Sequence, residues 1–332
     1  MTNKDYLKIL DEINDYCQNK YQIKKLNQVF FEIDLPYYLP IQSNRIIHFQ
    51  LDSASIASYH FKQVVNKEDN GLYKHHTKVA MVYSTSMKIA SKESSLNKYF
   101  QNLIKQYNYF VDSYVIKTKD FNVVKINNNN LGIYSNCILR DRNQQVKELV
   151  FLFNSNPIEL MDYSKDGNKK TISKDLLNTI SYNSQFIKEQ NPYLNVGLTT
   201  IDAVQLLKNN KFNLAIIVAQ SGFELFINTT IKEIAKLNPE VKFNSDLSIA
   251  SKIDSLNQIL ECDDFKVGNN LVDNYLKAAH FLDDITINNY QASFKDADTF
   301  LQAMELLKRL IVNQLVRFDK YKDFFLEYLS NI

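Results

Sequence analysis

Apolar side chains recur at helical spacing at both ends of the chain, and the stretch between them has the shorter period of strands. Over residues 3–19, Tyr6, Ile9, Leu10, Ile13, Tyr16 and Cys17 share one face of an amphipathic helix. From about residue 26 to 155 the apolar runs are short and rich in β-branched and aromatic residues: VFFEIDL (29–35), RIIHFQL (45–51), KVAMVYS (78–84), YVIKT (114–118), FNVVKI (121–126), GIYSNCIL (132–139) and ELVFLF (148–153). Such runs predict strands. Turn signals separate them at Pro36 and Pro40, at Asn70-Gly71, and from Asn127 to Asn130 before Gly132. The segment 121–139 therefore predicts a hairpin. Helices are expected to interrupt the sheet at about 54–66 and 93–110. In the second, Leu96, Tyr99, Phe100, Leu103, Ile104 and Tyr107 share a face.

Asp166-Gly167-Asn168 closes this region, residues 172–190 predict a connecting helix, and Asn191-Pro192 breaks it. From Gly197 onward only helical periodicity remains. Thr200 is placed as the cap of a helix from Ile201 to Asn209. Phe212 to Leu237 predicts a long apolar helix ended by Asn238-Pro239, and Asp246 to Leu260 and Leu271 to Leu282 follow. The last helix, Asp296 to Leu329, carries the stripe Phe300, Leu301, Met304, Leu307, Ile311, Leu315, Phe318 and Phe325. Short connections between long amphipathic helices imply antiparallel neighbours in a bundle. The expectation is an α+β domain with a mainly antiparallel sheet over 1–170, a connecting helix and linker over 171–196, and an all-α helical bundle over 197–332.

Composition narrows the classes. At 332 residues the chain is long enough for about two domains, and 45% hydrophobic with 23% charged residues is too apolar for disorder and too charged for many membrane spans. With six glycines and neither GxGxxG nor GxxxxGK[ST], no dinucleotide fold or P-loop is expected. The run nearest to a membrane span, Leu214 to Ile227, carries Gln220, Ser221 and Glu224 and reads as a buried helix. The start, MTNKDYLKIL, has no apolar core of signal-peptide length. A cytoplasmic protein with no membrane partner is the expectation. Cys17, Cys137 and Cys262 are dispersed and odd in number, which fits core packing in a reducing compartment. Only five of 39 basic residues are Arg, and 38 residues are Asn, a bias that points to an AT-rich bacterial genome.

The net charge of +2 divides unevenly, into +6 over residues 1–190 and −4 over residues 191–332. An anionic partner is drawn to the first half. Lys117, Lys119, Lys125, Arg140 and Arg142, near the expected hairpin, are the candidate nucleic-acid contacts.

Catalytic constellations are scarce. The histidines, His48, His60, His75, His76 and His280, show no HxxxH spacing and there is no CxxC, so no metal and no cofactor is expected. His75-His76 reads as a solvated loop pair before a strand, and His48 as a core or edge histidine within one. No GxSxG occurs, and Ser221-Gly222 lies mid-helix. The (D/E)xK elements Glu240–Lys242 and Asp264–Lys266 fall in helix connections, not at a strand as nuclease sites of that type require.

The segments AVQLLKNNKFNLAIIVAQSGFELFINTTIKEI (203–234) and ITINNYQASFKDADTFLQAMELLKRLI, with a short helix, a small turn, a long helix and a polar loop before a final amphipathic helix, resemble the HEPN superfamily over about 197–315. That family consists of small helical bundles found in prokaryotic toxin and abortive-infection proteins. Its active members pair across a dimer and cleave RNA with Arg-x4–6-His, the cation serving the phosphate and the imidazole moving the proton. Here Asp283 stands at the Arg position and Asn288 at the His position, and no Arg occurs between Arg142 and Arg309. The resemblance therefore implies a degenerate copy with no catalytic residues of the standard kind. His280 precedes the acidic pair and reads as structural. Glu224, on the most apolar helix, reads either as a helix–helix hydrogen bond or, with His280, Asp284 and Asn288, as a residual polar pocket.

What the resemblance implies is antiphage defence of the abortive-infection type. The bundle would form a homodimer and signal, and the α+β half would bind a phage or host protein or an RNA. The alternatives are a ribonuclease toxin with a non-standard site and a non-catalytic interaction scaffold.

Overall fold

The computed structural model describes residues 3–22, 26–67, 73–128, 131–132, 134–152, 170–188, 191–259, 269–288, 290–317 and 321–323. Asn70-Gly71, Asn129-Asn130, Phe153, Asp166-Gly167-Asn168, Leu260, Cys262, Asp264 to Lys266, Phe318, Phe325 and Leu329 lie outside the described residues. The chain divides into two compact units, Met1–Tyr114 with Asn122–Lys188 and Val115–Phe121 with Glu189–Ile332.

The first unit is α+β. A helix α1 (Asn3–Tyr21) precedes strands β1 (Asn27–Asp34), β2 (Arg45–Gln50), β3 (Ser55–Lys67) and β4 (Tyr73–Thr85). Helix α2 (Glu93–Thr118), strands β5 (Tyr134–Arg140) and β6 (Val146–Leu152), and helix α3 (Lys174–Lys188) follow. The strands form one antiparallel sheet in the order β2-β3-β4-β1-β5-β6. Strand β1 loses the usual polar alternation because Val29, Phe30 and Phe31 are all fully buried; both faces of the sheet are covered there. On one face Tyr6, Ile9, Leu10, Ile13 and Cys17 of α1 pack on Phe30, Ile56, Ala80, Val82 and Ile138. On the other, α2 lays down an aromatic layer, with Phe31–Phe100 centroids 5.0 Å apart, Tyr59–Tyr107 5.6 Å and Phe61–Phe110 6.0 Å. The buried Tyr59 hydroxyl donates to the Leu103 carbonyl at 2.7 Å, so that phenol has its partner inside the layer. Cys17 and Cys137 are buried, and burial pushes both thiols up to about 12, away from thiolate reactivity.

Several expectations are corrected. Residues 54–66 form β3, not a helix: Ile56 to Phe61 are all buried, so a strand paired on both edges and covered on both faces carries no period-two signal. Residues 114–118 do not form a strand but continue α2. Nothing breaks the helix there, and buried Val115 and Ile116 outweigh their β propensity. The helix stops at Lys119, whose φ of 55° is left-handed and whose N–H reaches the Val115 carbonyl at 2.8 Å. Residues 121–126 are not a strand either, so there is no hairpin over 121–139. The Asn108 side chain of α2 takes both the N–H (2.9 Å) and the carbonyl (2.8 Å) of Ile126, as a strand neighbour would. The hairpin is β5–β6, turning through Asp141 to Gln145. His75 and His76 lie within β4, not in a loop; His76 Nε2 is 3.2 Å from Asp34 Oδ1, and His75 sits edge-on to Tyr38.

The second unit is a helical bundle of α4 (Leu194–Lys208), α5 (Phe212–Leu237), α6 (Ile249–Ile259), α7 (Asn269–Thr286) and α8 (Phe294–Leu315). The periodicity of α5 is confirmed to the residue. It is long and apolar enough to cross a membrane, but Ala215, Ile216, Phe223, Phe226, Ile227, Ile231 and Ile234 are buried in the core of the bundle. Thr200 is not a cap. Helix α4 starts six residues earlier, where Asn191 Oδ1 accepts from the Tyr193 N–H at 2.8 Å, and the Thr200 hydroxyl bonds the Val196 carbonyl inside the helix. Helix α8 starts at a capping box: Ser293 Oγ accepts from the Asp296 N–H, and the Asp296 carboxylate accepts from the Ser293 N–H at 2.8 Å. Helices α4 and α5 approach so closely at Gly222 that a Cβ there would stand 3.1 Å from Thr199 Cγ2.

Two measurements check these packing arguments. Gly222→Leu has no room against Thr199, whose hydroxyl is held by the Asn195 carbonyl; it should lower the stability of the chain by about 1–3 kcal/mol in urea titration. His48 stacks on Tyr16 at 3.7 Å and lies 2.9 Å from Ser58 Oγ. Burial, then Lys20 and Arg45, lowers its pKa from 6.5 to about 4. The unfolded chain therefore binds the extra proton between those values, and this stability is complete above pH 6.5 and lost as the pH falls towards 4. Between those limits the wild-type chain should lose up to about 3 kcal/mol more than His48→Gln, read from denaturation at a series of pH values.

Candidate functional site

Antiparallel pairing of β1 with both β4 and β5 sets Asn27 opposite Thr85 and Gln28 opposite Arg140. The chain leaving β4 and the turn leaving β5 therefore both emerge beside the first residue of β1. Asn27 is buried, and its carboxamide serves both segments: Nδ2 donates to the Met87 carbonyl at 2.7 Å, and Oδ1 accepts from the Arg142 N–H at 3.0 Å. Between them lies a cavity of about 530 Å³ whose lining includes Lys88, Arg140, Arg142 and Lys147.

The acid on that lining, Asp141, is engaged by its own turn. Its Oδ1 accepts from the backbone N–H groups of Asn143 (2.8 Å) and Gln145 (2.9 Å), and Gln144 takes a left-handed φ of 70° to close the loop. Arg140 is nine-tenths buried. Its Nη2 meets Asp11 Oδ1 at 2.6 Å, while Nη1 is buried without a hydrogen-bond partner. Lys88, Arg142 and Lys147 are exposed, and their side chains have no ion-pair partner among the described residues. Ile89, Leu139 and Val146 add apolar surface to the same lining, and Ser86, Asn143 and Gln145 add polar surface. Four cations and one acid thus face this cavity.

The five expected nucleic-acid contacts do not converge. Arg140 and Arg142 line the basic cavity. Lys125 pairs with Asp112 at 2.9 Å. Lys117 and Lys119 close α2, where burial lowers the pKa of both ammonium groups. Lys88, Lys147 and Asn27 are the members that sequence reasoning missed, because only the strand order brings them together.

The four residues of the expected polar pocket pair off differently. Asp284 and Asn288 are exposed at the end of α7 and bond each other, Asn288 Nδ2 donating to Asp284 Oδ1 at 3.0 Å. Asp283 and His280 are also exposed. Glu224 is half-buried and accepts from Gln220 Nε2 at 3.0 Å. Gln220, buried on α5 as are Thr230 and Glu233, also donates to the Tyr275 hydroxyl of α7 at 2.8 Å and leaves its Oε1 without a partner. Residues 283–288 thus present carboxylates and an amide, but no cation.

The bundle unit has two adjoining cavities of about 280 and 260 Å³, both touching Lys119, Thr200, Glu305, Lys308 and Arg309. Lys119, Lys308 and Arg309 stand against Glu305 on both, joined by Asp298 on the second, and part of this charge is paired. Lys308 bonds Glu305 and Thr200, each at 2.8 Å, and Arg309 lies 3.8 Å from Glu305. Burial would raise the Glu305 carboxyl, but Lys308 and its neighbours hold it below its usual range. Among the described residues no group of three or more His, Cys, Asp or Glu side chains is placed to hold a metal ion. Compared with known proteins, the chain matches no family model, no curated protein and no solved structure.

If Asn27 organises the cavity, Asn27→Ala should strand the Arg142 N–H and the Met87 carbonyl. The expected loss is about 1–3 kcal/mol of stability, together with faster amide hydrogen exchange at Arg142 while exchange in α5 is unchanged.

Proposed function

We propose that this chain is a recognition protein of the bacterial abortive-infection type, acting in the cytoplasm without a ribonuclease centre of its own. In this reading the sheet unit binds an anionic target, and the HEPN-like bundle pairs with a second copy and passes the signal on. The observation that carries it is the division of polar chemistry along the chain. Cations converge on a preorganised cavity in the sheet unit, whereas Asp284 and Asn288, in the stretch aligned with the nuclease motif, are spent on each other.

RNA cleavage by the family's route needs a cation at the scissile phosphate and a group that moves a proton near neutral pH. Carboxylates at that place repel the phosphate, and an amide does not titrate. The defence role itself comes from the family resemblance and is an association.

The test is phage challenge of a bacterial host expressing the chain, with total RNA examined in the same cultures. Protection with intact RNA is expected, unchanged in His280→Ala and Asn288→Ala, and lost in Arg142→Gln/Lys147→Gln. Light scattering of the full chain should give about twice the 38.7 kDa of one copy. RNA degradation that disappears in His280→Ala or Asn288→Ala with the fold intact would establish the ribonuclease alternative instead.

A further inference from the structure

We infer that the basic cavity of the sheet unit is a site for the terminal phosphate of a nucleotide, either free or at the end of a single strand. The inference rests on the reading that the sheet unit is the binding unit, and it names the ligand.

The size fits first. About 530 Å³ lies within the range of pockets that enclose small ligands; a continuous duplex is gripped along a stripe of cations instead. Such a stripe is not continued by Lys125, which is spent on Asp112, or by Lys78, which is spent on Glu32 and Asp34.

Charge comes next. Lys88 lines the cavity from the segment after β4, Arg142 and Lys147 line it from the β5–β6 hairpin, and Asp141 is occupied by backbone amides. Several converging cations favour a dianion over a carboxylate, and a phosphate monoester carries about −1.5 to −2 with three acceptor oxygens. Arg140 adds a buried guanidinium with one nitrogen still unbonded.

The apolar wall then distinguishes a nucleotide from inorganic phosphate. Ile89, Leu139 and Val146 provide a surface for a base or sugar, and Asn143 and Gln145 provide amides at its margin. Asn27 acts as a positioning residue. By holding the Met87 carbonyl and the Arg142 N–H, it sets the spacing of the segments that carry Lys88 and Arg142 before any ligand arrives.

The experiment uses the purified full chain and a short single-stranded RNA labelled at its 3′ end, with either a 5′-phosphate or a 5′-hydroxyl. Binding is read by fluorescence anisotropy, with adenosine 5′-monophosphate and inorganic phosphate as competitors. The 5′-phosphate should tighten binding about tenfold or more. In Arg142→Gln/Lys147→Gln, two exposed positions whose fold is checked by circular dichroism and thermal melting, affinity for the phosphorylated strand should fall to that of the hydroxyl strand. Displacement by adenosine 5′-monophosphate assigns the site to free nucleotides, and displacement only by phosphorylated strands assigns it to strand ends; either upholds the inference. Equal affinity for both strands, still lost in the double variant, overturns the terminal-phosphate inference and leaves the sheet unit as the binding unit. Binding that the double variant leaves untouched overturns both, and no measurable binding of any probe overturns the inference.

Discussion

Strand β1 carries two polar residues, Asn27 and Gln28, in a position where both faces of the sheet are buried. Each must find partners inside the protein or cost the fold about 1–3 kcal/mol. Gln28 finds the Leu10 carbonyl of α1 at 3.2 Å, which fixes that helix over one face of the sheet. Asn27 finds the segments after β4 and β5, which fixes the mouth of the basic cavity. The same burial requires a cover on the opposite face, and the aromatic layer of α2 supplies it. One strand thus couples the architecture of the sheet unit to the geometry of its basic cavity.

Asparagine repeats this role elsewhere. Asn108 takes both backbone groups of Ile126 and holds an extended segment that has no strand neighbour. In the bundle, Asn213 donates to the Tyr290 carbonyl at 2.8 Å and accepts from the Ala292 N–H at 2.9 Å, which anchors the loop between α7 and α8 to the start of α5. A carboxamide has the donor and acceptor of a peptide unit. In a chain with few glycines and many asparagines, side-chain amides close irregular segments that backbone pairing leaves open.

These clamps mark the limit of what the sequence shows. The bundle was legible because α5 and α8 carry long stripes at the helical period, but the stripe did not show the capping box at Ser293 and Asp296, and α8 ends at Leu315, short of the expected Leu329. Strand β3 was not, because a strand buried on both faces has no alternation to read. The end of α2 was misread because Val115 and Ile116 favour strands locally, while tertiary burial decides in favour of the helix. The site was half legible. Arg140 and Arg142 stand out as cations beside a turn, but Asn27 lies 115 residues from Arg142 and 60 from Met87. No local signal announces a contact across that distance; only the order of the strands does.

We propose that recognition belongs to the sheet unit and not to residues 283–288 of the bundle. Hydrogen–deuterium exchange of the full chain, with and without saturating 5′-phosphorylated single-stranded RNA, tests it most directly. The account predicts slower exchange over residues 86–89 and 140–147 and no change over residues 280–296. Protection confined to the junction of α7 and α8, or none anywhere, would contradict it.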